Sequence, residues 1–184
     1  MENNMQESGN GPVAQDDKRV TCENDVSLKN LFDRKPRIPD YQRSFCWRKS
    51  NVLDLMETIW MREEKADTHL GTIILKQEKK ADGTADRFSI VDGQQRLLTL
   101  AILALACGGR EQPSLLLDAS LAGTSNDARS AKKHLYWAQT TIKDWLKTRG
   151  VDTWKGNGPG VGERQYPAFL QNIKFTVITL PPGA

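Results

Sequence analysis

Arg87-Phe88-Ser89-Ile90-Val91-Asp92-Gly93-Gln94-Gln95-Arg96-Leu97-Leu98-Thr99-Leu100-Ala101-Ile102-Leu103-Ala104-Leu105-Ala106-Cys107 is the stretch on which the fold turns. Arg87 to Val91 reads as a strand, Leu97 to Cys107 as a helix, and Asp92 to Arg96 as the polar turn between them. The helix has almost no polar face, so it must run through the core, and Gly108-Gly109 end it. A strand-to-helix turn points the unpaired N–H groups of the first helical residues into open space. Gly93 lets a ligand approach the backbone, and Arg96 adds a planar positive fork. An anion, most naturally a phosphate, is the expected guest. An ordinary turn, with Asp92 as a cap and Arg96 in a surface ion pair, needs neither two consecutive glutamines nor an arginine. Asp92 is therefore assigned to a Mg²⁺ ion or a water, and Gln94, Gln95 and Arg96 to phosphate oxygens.

Working outward, Thr72-Ile73-Ile74-Leu75 after Gly71 reads as an antiparallel neighbour of Phe88 to Val91, with Lys79 to Gly83 as the turn between them. Further upstream, Val52, Leu53, Met56, Ile59 and Trp60 fall at helical spacing in a helix from about Ser50 or Asn51, leaving Asp54, Glu57 and Arg62 outward. Ser27 caps a short helix over Leu28 to Phe32. Downstream, Leu135, Ile142 and Trp145 mark a second long helix at about 127–148. A glycine-rich breaker (150–162), a short helix near 168–172 and a strand at 174–180 follow. Few regular β-α-β repeats and mixed short strands argue an α+β fold, a small mixed sheet packed with helices.

With 184 residues the chain has room for one domain with a core. Apolar residues are 38% of the chain and the mean hydropathy is −0.57, so part of it is expected to carry no core. Residues 1–25 hold six acids against two bases and no apolar period, which reads as a disordered acidic arm ahead of a domain over 26–184. No apolar run follows Met1 as in a signal peptide, and none is long enough to span a bilayer; no membrane is expected. The three cysteines, Cys22, Cys46 and Cys107, show no C-x-x-C spacing, so reduced thiols and a cytoplasmic location are expected.

The charge is uneven. Residues 29–49 carry seven bases against two acids, among them Lys35, Arg37, Arg48 and Lys49, which favours a polyanionic partner, nucleotide or DNA. In the same region Ile38-Pro39-Asp40-Tyr41-Gln42-Arg43-Ser44-Phe45-Cys46-Trp47 starts extended, because proline excludes α at Ile38, and then alternates aromatic with polar residues. It reads either as an edge strand docking Tyr41, Phe45 and Trp47 on the core, or as a segment placing Gln42 and Arg43 in a pocket. Two Gln-Arg pairs, Gln42-Arg43 and Gln95-Arg96, point to one shared site. Other templates fail. No G-x-x-x-x-G-K-[ST] occurs, and the glycines of 156–162 fit a loop rather than a dinucleotide fingerprint. His69 and His134, the only histidines, have no partners at metal spacing, so neither a zinc site nor a complete HNH-type nuclease is expected.

Taken together, Ile38 to Trp47, Leu70-Gly71-Thr72-Ile73 and Val91 to Leu100, in this order, resemble the N-terminal domain of GmrSD-type modification-dependent restriction proteins over roughly residues 26–180. The resemblance implies a ParB/sulfiredoxin-like fold in which the D-G-Q-Q-R turn belongs to a nucleotide site. It also implies NTP binding and hydrolysis in phage defence against modified DNA, and a DNA-cutting domain or subunit elsewhere. Carried over, the nucleotide-binding residues are Tyr41, Gln42, Arg43, Gly93, Gln94, Gln95 and Arg96; Asp92, Gln95, Arg96 and Arg43 are the catalytic candidates, with Asp92 as the Mg²⁺ ligand. Lys35, Arg37, Arg48 and Lys49 are the DNA-binding candidates. Relatives often carry an acidic pair late in the first long helix, where this chain has Glu57 followed by Thr58. A Phe-x-x-x-Asn segment expected after the last strand is missing, so the domain reads as truncated at its C-terminal end. Two other functions compete with an NTP-hydrolysing sensor: a non-catalytic DNA-binding module for modified or foreign DNA, and an inactive truncated remnant.

Overall fold

Alternation of buried and half-buried residues is most regular along Ile173–Leu180, where Ile173, Phe175, Val177 and Thr179 turn into the core. This strand, β4, lies inside a four-stranded sheet of order β1-β4-β2-β3 in the computed structural model, which describes residues 19–61, 66–78, 87–108, 125–151 and 168–183. Here β1 is Thr21–Ser27, β2 is Thr68–Glu78 and β3 is Arg87–Asp92. β4 runs antiparallel to β1 and parallel to β2, while β2 and β3 are antiparallel as expected. With helices packed on this mixed sheet, the fold class is α+β.

β1 corrects the expected boundary of the acidic arm. Thr21 to Asp25 fell within the arm read over 1–25, yet Thr21, Cys22 and Glu23 pair with Thr179, Ile178 and Val177. The strand left no periodic signal because it is an edge strand, exposed from Thr21 to Asp25 and interrupted between Glu23 and Val26 at Asp25, whose φ is 56°. Arg34 fastens it to the end of the first helix, donating to both carboxylate oxygens of Glu23 at 2.8 Å. The rest of the arm, residues 1–18, lies outside the described residues. So do the expected turn at Lys79 to Gly83, Arg62 and the loop glycines of 156–162.

The helices follow the apolar spacing. α1 (Leu28–Asp33) is capped by Ser27, whose Oγ accepts from the Asn30 N–H at 3.1 Å. α2 (Lys49–Trp60) buries Val52, Leu55, Met56 and Ile59. α3 (Gln94–Ala106) is enclosed from Gln94 to Ala106 except at Arg96 and Leu105, as its missing polar face requires. α4 (Ser125–Thr148) lies against both α2 and α3, burying Ala138, Ile142, Trp145 and Leu146; α5 (Ala168–Gln171) is one turn. Among the described residues no helix is long and apolar enough to cross a membrane.

Glu57 and Trp60 differ from expectation. Trp60, placed on the apolar stripe, is 39% exposed and meets Trp145 edge-on at 5.3 Å and Phe169 at 5.8 Å. Glu57, expected to point to solvent, accepts from Trp145 Nε1 at 2.9 Å and from Arg149 Nη2, and so ties α2 to the end of α4. Arg149 in turn lies 4.0 Å over the Trp145 ring. The Trp145 hydrogen bond, helped by Arg149 and opposed by partial desolvation, holds the Glu57 carboxyl below its ordinary value. A depressed carboxyl stabilises the fold above its unfolded-state pKa, about 4.3, and loses that contribution as pH falls through the folded-state value. Thermal melting from about pH 7 to pH 3 is therefore expected to show Glu57→Gln below the parent at neutral pH and approaching it in acid. A gap independent of pH would contradict the assignment.

Candidate functional site

Gly93 sits where β3 hands over to α3, and its backbone explains the turn. With φ 91° and ψ 4° it is left-handed, the N-cap of α3, and no side chain caps the helix. The first intrahelical bond runs from the Leu97 N–H to the Gly93 carbonyl at 3.0 Å, leaving the N–H groups of Gln94, Gln95 and Arg96 for a guest. Asp92, the alternative cap, does not cap; its side chain is exposed. Packing gives a reason for the glycine that the sequence did not suggest. A Cβ here would collide with Ile73 Cδ1 on β2, so packing beneath the turn demands glycine, in addition to any ligand above it.

β2 supplies the support that the sequence left without a role. The inward residues Thr68 and Leu70 give way to Ile73 and Leu75, a change of phase that coincides with a register shift between His69 and Thr72. Gly71 occupies this bulge at φ 86°, and a Cβ there would lie 3.4 Å from Arg96 Nη1. Next to it the Thr72 carbonyl accepts from Arg96 Nη1 at 3.3 Å. Leu70-Gly71-Thr72-Ile73 thus seats both ends of the turn, Gly93 on Ile73 and Arg96 over Gly71.

The segment from Tyr41 to Trp47 is held by amide side chains. Arg37 bridges to Ser89 in parallel, its N–H donating to Phe88 O at 2.8 Å and its carbonyl accepting from the Ile90 N–H at 2.9 Å. Gln42 Nε2 donates to the carbonyls of Val91 at 2.8 Å and Ile90 at 3.3 Å. Gln94 Nε2 donates to Arg43 O at 2.8 Å; Gln95 Nε2 donates to Ser44 O at 3.2 Å while its Oε1 accepts from the Cys46 N–H at 2.9 Å. Both glutamines of the turn are buried, at 5% and 7% exposure. Their amides clamp the upstream motif to the helix start, a role that spacing alone does not reveal. Replacing Gln95 with leucine removes the acceptor of the Cys46 N–H and the donor to Ser44 O, so we expect a loss of about 2 kcal/mol and faster hydrogen exchange at the Cys46 amide. Unchanged exchange there would show that the clamp does not hold the segment.

The two motifs meet around one cavity of about 220 Å³, lined by Gln42, Arg43 and Trp47 from the first and by Val91 to Arg96 from the second. Both Gln-Arg pairs therefore share a site. Arg43 is exposed, and Arg96 is half-buried with one nitrogen on Thr72. Trp47 joins the lining without having been singled out as a ligand contact. Tyr41 does not line the cavity and is 69% exposed. Lys35, Arg37, Arg48 and Lys49 are exposed outside it, Arg48 as the N-cap of α2 and Lys49 as its first residue. Among the described residues no three His, Cys, Asp or Glu side chains cluster as a metal cage. Asp92 is the carboxylate of the cavity, which fits a Mg²⁺ held by one carboxylate and a guest's phosphates better than a closed protein site. A larger hollow of about 280 Å³, lined by Ile102, Leu105, Leu135 and Tyr136 with Lys132 and Gln139, is mainly apolar and carries one cation where the first carries two.

These features define an α+β domain with an uncapped helix start enclosed by two motifs. A family model described as the N-terminal domain of GmrSD restriction endonuclease matches residues 28–180, and the chain belongs to that family. It is thereby a component of a DNA restriction system. No curated protein matches the chain significantly.

Proposed function

We propose that the domain binds a nucleoside triphosphate and hydrolyses it, and that this regulates restriction of modified DNA by a nuclease domain or subunit. The observation that carries this reading is the uncapped start of α3 opening on a cavity that also holds Arg43, Arg96 and Asp92. Helix N–H groups, the positive end of the helix dipole and two guanidinium forks together favour a polyphosphate over a singly charged anion. A volume of about 220 Å³ is smaller than a pocket for a whole nucleotide, commonly several hundred Å³, so it takes the phosphate end with at most the adjoining sugar and leaves the base towards the surface.

For phosphoryl transfer the chain supplies position and charge. Arg96, steadied by Thr72 O, and Arg43 would stabilise charge growing on the transferred group, and the α3 N–H groups would hold its oxygens. Asp92 would hold Mg²⁺, which supplies charge neutralisation at the phosphates. Gln95 contributes through the clamp, since both ends of its amide are engaged by backbone. Titration calorimetry with Mg²⁺ and each of the four common NTPs, followed by a phosphate-release assay, tests the reading. Heat and turnover with at least one NTP are expected; no heat with any would end it.

A second reading rests on the exposed bases Lys35, Arg37, Arg48 and Lys49 outside the cavity. They suit a DNA backbone, and such binding would weaken steeply with salt. The two readings separate cleanly. DNA binding without NTP binding, unaffected by Gln94→Ala and Gln95→Ala, would favour a non-catalytic DNA module.

A further inference from the structure

Gln94 carries an unspent group. Its Nε2 is committed to Arg43 O at 2.8 Å, which fixes the orientation of the amide, because a flipped amide would set two oxygens against each other. Its Oε1 is buried and has no hydrogen-bond partner, on a residue only 5% exposed that lines the cavity. The neighbouring Gln95 has a similar burial and satisfies both ends of its amide. A buried acceptor left without a donor costs free energy in the empty site, so a donor supplied by a guest regains it.

We infer that Gln94 Oε1 accepts a hydrogen bond in the occupied site, and that the guest therefore brings an O–H or N–H donor beside its anionic group. This rests on the nucleotide reading and sharpens it. Apart from the Asp92 carboxylate, the charged and backbone groups that would meet an anion in the cavity are donors or cations: the N–H groups of α3 and the forks of Arg43 and Arg96. A fully ionised polyphosphate offers only acceptors and satisfies these groups while leaving Oε1 unpaired. Two sources provide the missing donor. One is a hydroxyl of the nucleotide's sugar; the other is a water held against the terminal phosphate, which is where an attacking water must lie. In either case Gln94, rather than Gln95, is the glutamine with an acceptor left for the guest.

The test compares the parent chain with Gln94→Met, of similar shape but without the acceptor, using a ribonucleoside triphosphate, its 2′,3′-dideoxy counterpart and inorganic triphosphate, each with Mg²⁺. If the donor is the sugar, the parent binds the ribonucleotide about tenfold more tightly than the other two, and Gln94→Met erases that preference. If it is the water, the three affinities stay alike, and Gln94→Met lowers kcat about tenfold or more with KM little changed. A folded Gln94→Met that matches the parent in affinity and turnover on all three overturns the inference while leaving nucleotide binding intact. Should that variant fail to fold, the side-chain ¹⁵N–¹H signals of Gln94 in the parent decide. A downfield shift on saturation with the ribonucleotide supports the new hydrogen bond, and no shift overturns it. Failure of the parent to bind any of the three overturns both this inference and the nucleotide reading.

Discussion

Replacing Arg96 with alanine is expected to weaken triphosphate binding about tenfold or more and to slow turnover about a hundredfold. The residue stands in the first turn of α3, beside the free N–H groups, and its guanidinium is steadied by the Thr72 carbonyl at 3.3 Å. That contact uses one nitrogen and leaves the rest of the fork to the guest. Hydrogen bonds between ionised groups rank among the stronger ones in proteins, and charge that grows during phosphoryl transfer makes the loss larger in turnover than in affinity. Arg96→Lys retains the charge without the planar fork and should recover only part of the affinity. The melting temperature should change little, because the side chain is half-buried and makes a single contact at the long end of hydrogen-bond range. Binding isotherms and phosphate release at saturating NTP check the expectation. Unchanged values would remove Arg96 from the site.

The second large effect falls on stability. Gly93→Ala should cost about 3 kcal/mol, combining left-handed backbone for a residue with a Cβ and overpacking of a filled core. The added carbon would collide with Ile73 Cδ1, and Ile73 is fully buried, so its side chain has little room to withdraw. In a domain of this size a loss of that magnitude lowers the melting temperature by roughly 6–12 °C. The paired variant Gly93→Ala with Ile73→Val trims the obstructing carbon and should regain part of the loss, leaving the backbone cost. If the single variant melted within a degree or two of the parent, roughly the scatter of surface changes, the packing argument for Gly93 would be wrong.

Much of this architecture was legible in the sequence, for identifiable reasons. An eleven-residue run without a polar face has to be a core helix, and α3 is one. Ser27 and the strand-like run before Asp92 marked their elements equally well. β1 was illegible, since an exposed edge strand that pairs with residues about 150 positions away leaves no local period. The site was half legible. The pairing of Gln42-Arg43 with Gln95-Arg96 followed from residue type, and the cavity unites them. The division of labour between the glutamines did not follow, because it depends on which backbone groups of Arg43, Ser44 and Cys46 come within reach. Gly71 and Ile73 were hidden similarly: their roles appear only when the bulge of β2 is set under the turn. Glu57 answers to Trp145 and Arg149 across a helix interface, far along the chain from its own helix.

The central claim is that a triphosphate sits on the start of α3. Backbone ¹⁵N–¹H shifts recorded while the parent chain is titrated with its preferred NTP and Mg²⁺ test it most directly. The expected result is saturable movement largest at the amides of Gln94, Gln95 and Arg96, with smaller changes along 42–47. Saturable shifts confined to other parts of the domain, with these three amides still, would contradict it.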